Sequence, residues 1–556
     1  MYNAGNPLIV QSDRTVFLET ANPQFEDARD DLARFAELDK SPEHLHTYRI
    51  TPLSLWNAAS SGMSAAEIIN ILNRYSKYEV PTNVVEDIRE VVSRYGRVRL
   101  LKEDGAGLVL ESDDELLMLE LSRHKTVAPF LGAPLSARRI AVAPANRGHL
   151  KQALIKIGFP VEDLAGYTAG APLQLEWRER CRSGRELTLR RYQRDAISVF
   201  WAGGDRRGGS GVLVLPCGAG KTVIGIGVIE KVRMQTLVLT TNVTALRQWK
   251  GELLDKTDLE EGQIGEYSGE LKEIRPITLA TYQILTWRRS KRSPFAHFSL
   301  FNEQDWGLVI YDEVHLLPAP VFRAVAEIQS RRRLGLTATL VREDGKEDDV
   351  FSLIGPKKID VPWKELERQG WIAQATCIEF RLPMDQDLRL EYALAETRRK
   401  YTVASCNPAK FEVIEHLLER HRGDRVLIIG QFLDQLRAIA ALVEAPLITG
   451  SVRNAVREDL YEKFRTGEIK VLVVSKVANF AVDLPEANVA IQVSGTFGSR
   501  QEEAQRLGRV LRPKSGENHA WFYTLVTRDT IDQEFAMNRQ LFLTEQGYRY
   551  EIRNFN

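Results

Sequence analysis

Leu213–Thr222 reads L-V-L-P-C-G-A-G-K-T: an apolar run, a turn with two glycines, then Lys-Thr opening a second apolar segment. Pro216 opens the loop, the backbone N–H groups of Cys217-Gly218-Ala219-Gly220 can turn inward on a polyphosphate, and the helix that follows adds positive potential at its N-terminus. Lys221 is placed to reach the β- and γ-phosphates and Thr222 to ligate Mg²⁺. The strict form of this loop has a glycine where Leu215 stands. Cys217 fills space as a small side chain.

A phosphate loop needs a partner that organises the metal and activates water. Leu308-Val309-Ile310-Tyr311 runs directly into Asp312-Glu313-Val314-His315. A strand ending in two carboxylates supplies both: Asp312 for the Mg²⁺ water shell and Glu313 as the base for the attacking water. Thr337-Ala338-Thr339 ends another strand soon after, and its hydroxyls suit hydrogen bonds to the motif carrying His315. His315 is therefore expected to couple the nucleotide to a second ligand. Farther on, Gln505-Arg506-Leu507-Gly508-Arg509-Val510-Leu511-Arg512 sets Arg509 and Arg512 three apart on one helical face. There they would neutralise charge developing on the γ-phosphoryl group. Gln193 precedes the phosphate loop by one short helix, and its carboxamide suits an adenine edge. ATP and Mg²⁺ are the expected cofactors.

Alternating strand and helix patterns must hold these groups. Val212–Leu215, Thr236–Thr240, Thr278–Ala280, Leu308–Tyr311, Val426–Gly430, Lys470–Ser475, Val489–Val493 and Ala520–Leu525 are nearly unbroken apolar runs. Such runs suit strands buried on both faces of a parallel sheet. They predict two α/β lobes, 181–362 and 363–556. Residues 1–135 read as an α+β domain. Its helices at Ser64–Tyr75 and after Pro81, followed by a hairpin across Asp104-Gly105-Ala106-Gly107, have the order of a winged-helix module. Residues 136–180 read as a small βα unit, expected to serve damage recognition, and Glu176–Arg185 as a polar linker.

The 44% hydrophobic and 27% charged residues are ordinary for a globular chain, whose length calls for several domains. Formal net charge is zero, so a nucleic-acid partner would need locally gathered basic residues. Four scattered cysteines without a C-x-x-C pair exclude a zinc ribbon and favour a reducing compartment. No apolar run is long enough to span a bilayer, and the first residues lack the pattern of a secretory signal. A cytoplasmic protein, nucleoid-associated when on DNA, is expected.

In this order, over Leu189–Val526, the motifs resemble those of the superfamily 2 helicases. Asp312–His315, Arg342-Glu343-Asp344, Ser475-Lys476-Val477 through Asp483-Leu484-Pro485-Glu486-Ala487-Asn488, and Gln505 to Lys514 resemble the XPB-type DNA repair helicases. Pro7–Asp13 and His46–Leu53 resemble the prokaryotic form. The resemblance implies two RecA-like lobes and ATP-driven 3′→5′ opening of duplex DNA in nucleotide excision repair. It ties Arg342, Glu343 and Asp344 to unwinding, adds Asp483 to the nucleotide-binding residues and Gln505 to the coupling residues, and implies a helical thumb at about 385–406. The family's archaeal members work with a nuclease, which makes one a candidate partner.

Sequence-independent DNA contacts, to duplex or single strand, are expected at the C-terminal ends of strands. Thr241, Gln248, Trp249, Thr281, Thr449, Gly450, Ser475 and Lys476 stand there; the basic loop Trp287-Arg288-Arg289-Ser290-Lys291-Arg292 offers phosphate contacts and an aromatic ring, but reads first as a solvated loop. Two other readings stay open. One is a DNA-dependent ATPase that distorts duplex and recruits a nuclease without processive unwinding; the other is a non-catalytic scaffold that binds DNA damage.

Overall fold

Alternating apolar and polar residues near the start of the chain give antiparallel sheets, and the unbroken apolar runs farther on give parallel ones. The computed structural model describes residues 2–32, 34–40, 44–60, 62–103, 107–143, 146–165, 170–204, 208–216, 218–290, 295–297, 299–317, 332–338, 350, 353–361, 363–475, 487–495, 507 and 519–555. The chain divides into two units, Met1–Leu215 with Gly220–Val361 and Pro216–Ala219 with Pro362–Asn556.

The first strands are β1 (Leu8–Val10), β2 (Thr15–Glu19), β3 (Glu37–Lys40) and β4 (Leu45–Arg49), in the antiparallel order β1-β2-β4-β3. Helices Ala65–Tyr75 and Thr82–Arg94 bury Ile68, Leu72, Val84 and Ile88 in the core shared with Leu8, Val16 and Leu18. Ser64 caps the first of these helices, its hydroxyl accepting from the Glu67 N–H at 3.1 Å.

The hairpin of the expected winged-helix module is present as β5 (Arg99–Glu103) and β6 (Gly107–Glu111), but it packs in a different core from the two helices. It joins β7 (Pro134–Ser136), β8 (Arg139–Val142) and β9 (Glu162–Asp163) in one sheet of order β7-β8-β6-β5-β9. The sheet therefore runs through residue 135, where composition had suggested a boundary. Leu100, Leu110, Leu117, Ile140, Leu150 and Leu154 make its core.

The first parallel sheet contains β10 (Ser210–Val214), β11 (Thr236–Thr240), β12 (Ile264–Tyr267), β13 (Ile277–Thr281), β14 (Leu308–Asp312), β15 (Arg332–Thr337) and β16 (Lys357–Asp360). Its order is β12-β13-β11-β14-β15-β10-β16, parallel throughout. Every side chain of β10, β11 and β13 is buried. That is why these segments carry no polar alternation: each fully buried Val, Leu or Ile contributes about 1.5–3 kcal/mol on either face.

The second parallel sheet, of order β19-β20-β18-β21-β22-β17-β23, is built from β17 (Gln374–Leu382), β18 (Val426–Gly430), β19 (Leu447–Ile448), β20 (Val471–Ser475), β21 (Val489–Gln492), β22 (His519–Thr527) and β23 (Tyr550–Asn554). Helices Gln386–Leu394 and Thr397–Ser405 occupy the segment 385–406.

The polar stretch Glu176–Arg185 is not a free linker. The N–H groups of Arg178 and Arg182 donate to the carbonyls of Lys256 and Asp255, both at 2.9 Å. Glu176 N–H donates to Asp258 Oδ1 at 2.9 Å and Ser183 N–H to Asp255 Oδ1 at 2.7 Å. The carbonyls at the end of helix Val243–Lys256 lack partners within the helix, and this strap supplies them. Just upstream, Ala171 N–H donates to Asp305 O and Gln235 N–H to Ala171 O, both at 2.8 Å.

A buried ion cluster lies in the N-terminal part of the chain. Asp163 accepts from Arg147 at 2.6 Å and from Lys151 at 3.1 Å, and Arg333 of β15 lies within electrostatic reach of Lys151. Burial alone would raise the Asp163 carboxyl, but Arg147 and then Lys151 hold it far below the usual carboxylate range. Asp163→Asn strands two buried cations and should cost about 3–5 kcal/mol in chemical denaturation followed by tryptophan fluorescence. Acid should mimic it: the contribution is complete above about pH 4 and is lost as pH falls toward the depressed folded-state value.

Candidate active site

Sheet order brings the sequence motifs together. β14, β15 and β10 are consecutive and parallel, so their C-terminal ends lie side by side. One carries Asp312 and Glu313, the next Thr337, and the third leads into the phosphate loop. The ladder continues past β10, where the Leu215 N–H donates to Thr337 O at 2.9 Å. Gly218 and Gly220 have φ of 82° and 78°, left-handed values that favour glycine, and Gly220 is the N-cap of helix Lys221–Val232. The glycine missing at Leu215 is not needed here: Leu215 is fully buried as an extension of the strand.

Lys221 Nζ donates to Glu313 Oε1 at 2.5 Å. Glu313 itself has φ 49°, left-handed for a residue with a side chain, a conformation costing on the order of 1 kcal/mol or more. The turn swings its carboxylate toward Lys221, and the 3₁₀ turn Val314–Leu316 follows. His315 is 4% exposed; its Nδ1 lies 2.7 Å from Thr337 Oγ1 and 3.5 Å from Glu313 Oε2. The expected link from the end of β15 to His315 is thus formed by Thr337.

Asp312 is fixed from two sides. Trp249 Nε1 donates to Oδ2 at 3.1 Å and Glu313 N–H to Oδ1 at 3.1 Å, while Tyr282 OH donates to the Asp312 carbonyl at 2.9 Å. Burial, and then the neighbouring Glu313, push the Asp312 carboxyl above its usual range. Burial acts the same way on Glu313, but Lys221 and then His315 outweigh it and hold that carboxyl low. Glu313 is the more acidic member of the pair. Each Asp312 oxygen keeps a lone pair beyond its hydrogen bond, which suits a cation shell made of water. Among the described residues no group of three His, Cys, Asp or Glu could hold a metal ion by itself. A Mg²⁺ at Thr222 and Asp312 would complete its shell with water and phosphate oxygens.

Gln193 is 4% exposed and sits against the loop: a Cβ added to Gly220 would lie 2.7 Å from Gln193 Nε2. Its Oε1 accepts from Arg190 N–H at 2.9 Å, which fixes the carboxamide.

The comparisons with known proteins agree with this geometry. Residues 366–554 match the ERCC3/RAD25/XPB C-terminal helicase model, residues 186–342 the type III restriction enzyme res subunit, and residues 8–136 a helicase conserved C-terminal domain. The chain is 54% identical over 550 residues to the DNA 3′-5′ helicase XPB of Mycobacterium tuberculosis, covering 99% of this chain and 98% of that protein. It is 53% identical over 546 residues to the protein of the same name in Kineococcus radiotolerans, covering 98% and 96%. The chain belongs to the XPB helicase family. A more distant member, the general transcription and DNA repair factor IIH helicase/translocase subunit XPB of Encephalitozoon cuniculi, is 34% identical over 98% of this chain and 82% of that protein.

Within this XPB-family chain the expected DNA track needs correction. Trp249 is 1% exposed, its ring packed where a Cβ on Gly225 would lie 2.3 Å away. It cannot meet DNA, and it serves as the indole that orients Asp312. Thr281 is buried and caps helix Tyr282–Thr286, its Oγ1 accepting from Ile284 N–H at 3.4 Å. Ser475 is likewise buried at the end of β20. Gln248 and Gly450 are exposed, and Thr241 and Thr449 half-buried. Trp287 is half exposed and tilts against His297, with Arg288 beside it over the Phe295 ring. Cys217, Lys291, Arg292, Thr339, Arg342, Glu343, Asp344, Lys476, Asp483, Gln505, Arg509 and Arg512 lie outside the described residues.

Tyr282 and the true role of Trp249 escaped the sequence reading because both follow from strand order. Trp249→Phe keeps an aromatic ring but removes the indole N–H together with the five-membered ring, leaving a small cavity beside Gly225. ATPase kcat should fall about 5- to 30-fold with KM for ATP nearly unchanged, as expected for loss of one hydrogen bond to a charged group.

Proposed function

We propose that this protein is an ATP-dependent DNA helicase of 3′→5′ polarity that opens duplex DNA in nucleotide excision repair. The observation that carries the reading is the convergence of Lys221, Asp312, Glu313, His315 and Thr337 at three adjacent strand ends, in a chain more than half identical to proteins named DNA 3′-5′ helicase XPB.

Each residue then has a task. The loop amides and Lys221 hold the β- and γ-phosphates. Glu313, ionised beside Lys221, takes the proton of the attacking water once phosphate draws the lysine away. Mg²⁺ supplies charge neutralisation on the phosphates, with Thr222 and Asp312 as the residues that would hold its shell. Gln193 is assigned to the adenine, and Asp483 to the nucleotide from the second lobe. Arg509 and Arg512 are assigned to the charge that develops on the γ-phosphoryl group. The His315–Thr337 contact is the proposed start of coupling, passing through Thr339 and the Arg342-Glu343-Asp344 segment to DNA, with Gln505 in the corresponding role in the second lobe.

DNA is held without sequence preference by exposed polar groups such as Gln248 and Gly450, by Thr241, Thr449 and Lys476, and by the basic thumb. A nuclease is the partner class that an opened duplex calls for. No helix among the described residues is long and apolar enough to cross a membrane. The bacterial relatives named as DNA helicases support assignment to the cytoplasm, at the nucleoid when on DNA.

Lys221→Ala should lower DNA-stimulated ATPase about a hundredfold or more while leaving DNA affinity intact, and should abolish strand displacement on a 3′-tailed duplex. Turnover at the wild-type rate would refute the assignment. Stimulation by RNA oligonucleotides but not by DNA would refute the substrate.

A further inference from the structure

The sheet edges are closed in different ways, with one exception. β1 is bridged by the segment after helix Ala65–Tyr75, Lys77 N–H donating to Leu8 O at 2.7 Å. β12 folds back on the chain that follows it, Glu273 N–H donating to Glu266 O at 2.9 Å. β3 and β16 are broken in register, at Leu38/Lys40 and against Val212/Leu213. β7 carries Pro134, and β9 and β19 are only 2 residues long. Such devices keep an edge from pairing with another chain. β23 has none of them among the described residues. It is last in its sheet, holds 5 residues without proline or glycine, and pairs with β17 in unbroken register from Cys377↔Tyr550 to Arg381↔Asn554.

The ladder fixes which backbone groups face out. Phe555 N–H donates to Arg381 O at 3.0 Å. Alternate residues of a parallel strand bond to the same neighbour, so Glu551 and Arg553 also turn toward β17, while Ile552 and Asn554 turn their N–H and C=O groups outward. Side chains alternate as well. Glu551 and Arg553 share one face, joined by Nε to Oε1 at 2.8 Å and Nη2 to Oε2 at 2.9 Å. Ile552, 40% exposed, shares the other with its register partner Glu379, which accepts from Gln540 Nε2 at 2.6 Å. Met537, one turn before Gln540 in helix Ile531–Glu545, is a second exposed apolar side chain.

This edge is complementary to itself. Laid antiparallel to a second copy about a two-fold axis at Ile552, it sets Ile552 against Ile552 of the partner subunit as a hydrogen-bonded pair, each N–H donating to the other's carbonyl. Glu551 then meets Arg553 of the partner subunit on one side of the axis, and Arg553 meets Glu551 of the partner subunit on the other. Charges of one sign on an edge repel a copy; opposite signs placed evenly about a centre attract it. We propose that β23 is the interface of a homodimer, an antiparallel strand pair centred on Ile552. A strand edge this short buries little area, so the dimer is weak and depends on concentration. The ends of β20 and β21 lie beyond β22 and β17, so pairing leaves them free. The inference is independent of the roles proposed above.

The test is sedimentation velocity of the full chain over a concentration series. The wild type should pass from one chain to two as concentration rises. Glu551→Arg opposes like charges on both sides of the axis and should weaken the dimer about tenfold or more, as should Arg553→Glu. The two exchanges combined restore the complement and should restore the dimer. Melting temperature and ATPase turnover per chain should stay at wild-type values in all three. Ile552→Cys should give a disulfide-linked dimer under mild oxidation, since residues opposed as a hydrogen-bonded pair have Cα atoms about 5.5 Å apart. Arg553→Cys, opposite Glu551 of the partner subunit, should not. A single chain at every concentration, a dimer indifferent to the charge exchanges, or linkage at 553 and not at 552 would overturn the inference.

Discussion

Two carboxylates can stand side by side at the buried end of a strand only if their charge is divided. Asp312 and Glu313 meet this constraint, and the arrangement of the first lobe follows from it. Lys221 and His315 take the charge of Glu313, while Trp249, Tyr282 and the Glu313 amide fix Asp312 without neutralising it. Each partner comes from a different element, and they meet only because β14 lies between β11 and β15, with β10 next. The left-handed Glu313 belongs to the same solution. In an extended conformation its side chain would point to the opposite face of the sheet from Asp312's.

How much of this was legible depended on range. Lys221-Thr222, Asp312-Glu313 and Thr337 were readable because their chemistry sits at the edge of an apolar run, so a local pattern fixes both the element and its end. The two lobes were readable because strands buried on both faces lose their alternation. Trp249 was misplaced because its position after a strand said nothing of which neighbour it faces; strand order decides that, and strand order is a long-range property. Thr281 and Ser475 failed for a related reason. A hydroxyl at a strand end serves equally as a helix cap or a buried group, and sequence does not distinguish these from a ligand contact.

The N-terminal region shows the same limit on a larger scale. Helices and hairpin were placed correctly as elements, yet the hairpin at Arg99–Glu111 belongs with β8 and β9, which come later in the chain. Charge density at Glu176–Arg185 looked like solvated spacer. Their backbone N–H groups answer the unpaired carbonyls at the end of a helix some seventy residues away, and the Arg178 and Arg182 side chains donate to the carbonyls of Thr257 and Leu259 just beyond it.

That strap has a mechanical meaning. A flexible chain of fourteen residues would let its two ends wander by roughly 20 Å. Residues 170–183 instead lie along the first lobe, hydrogen-bonded at several points. The N-terminal sheets are therefore carried in the same rigid frame as the lobe that binds nucleotide. A chain tethered in this way leaves the N-terminal sheets little slack against the lobe.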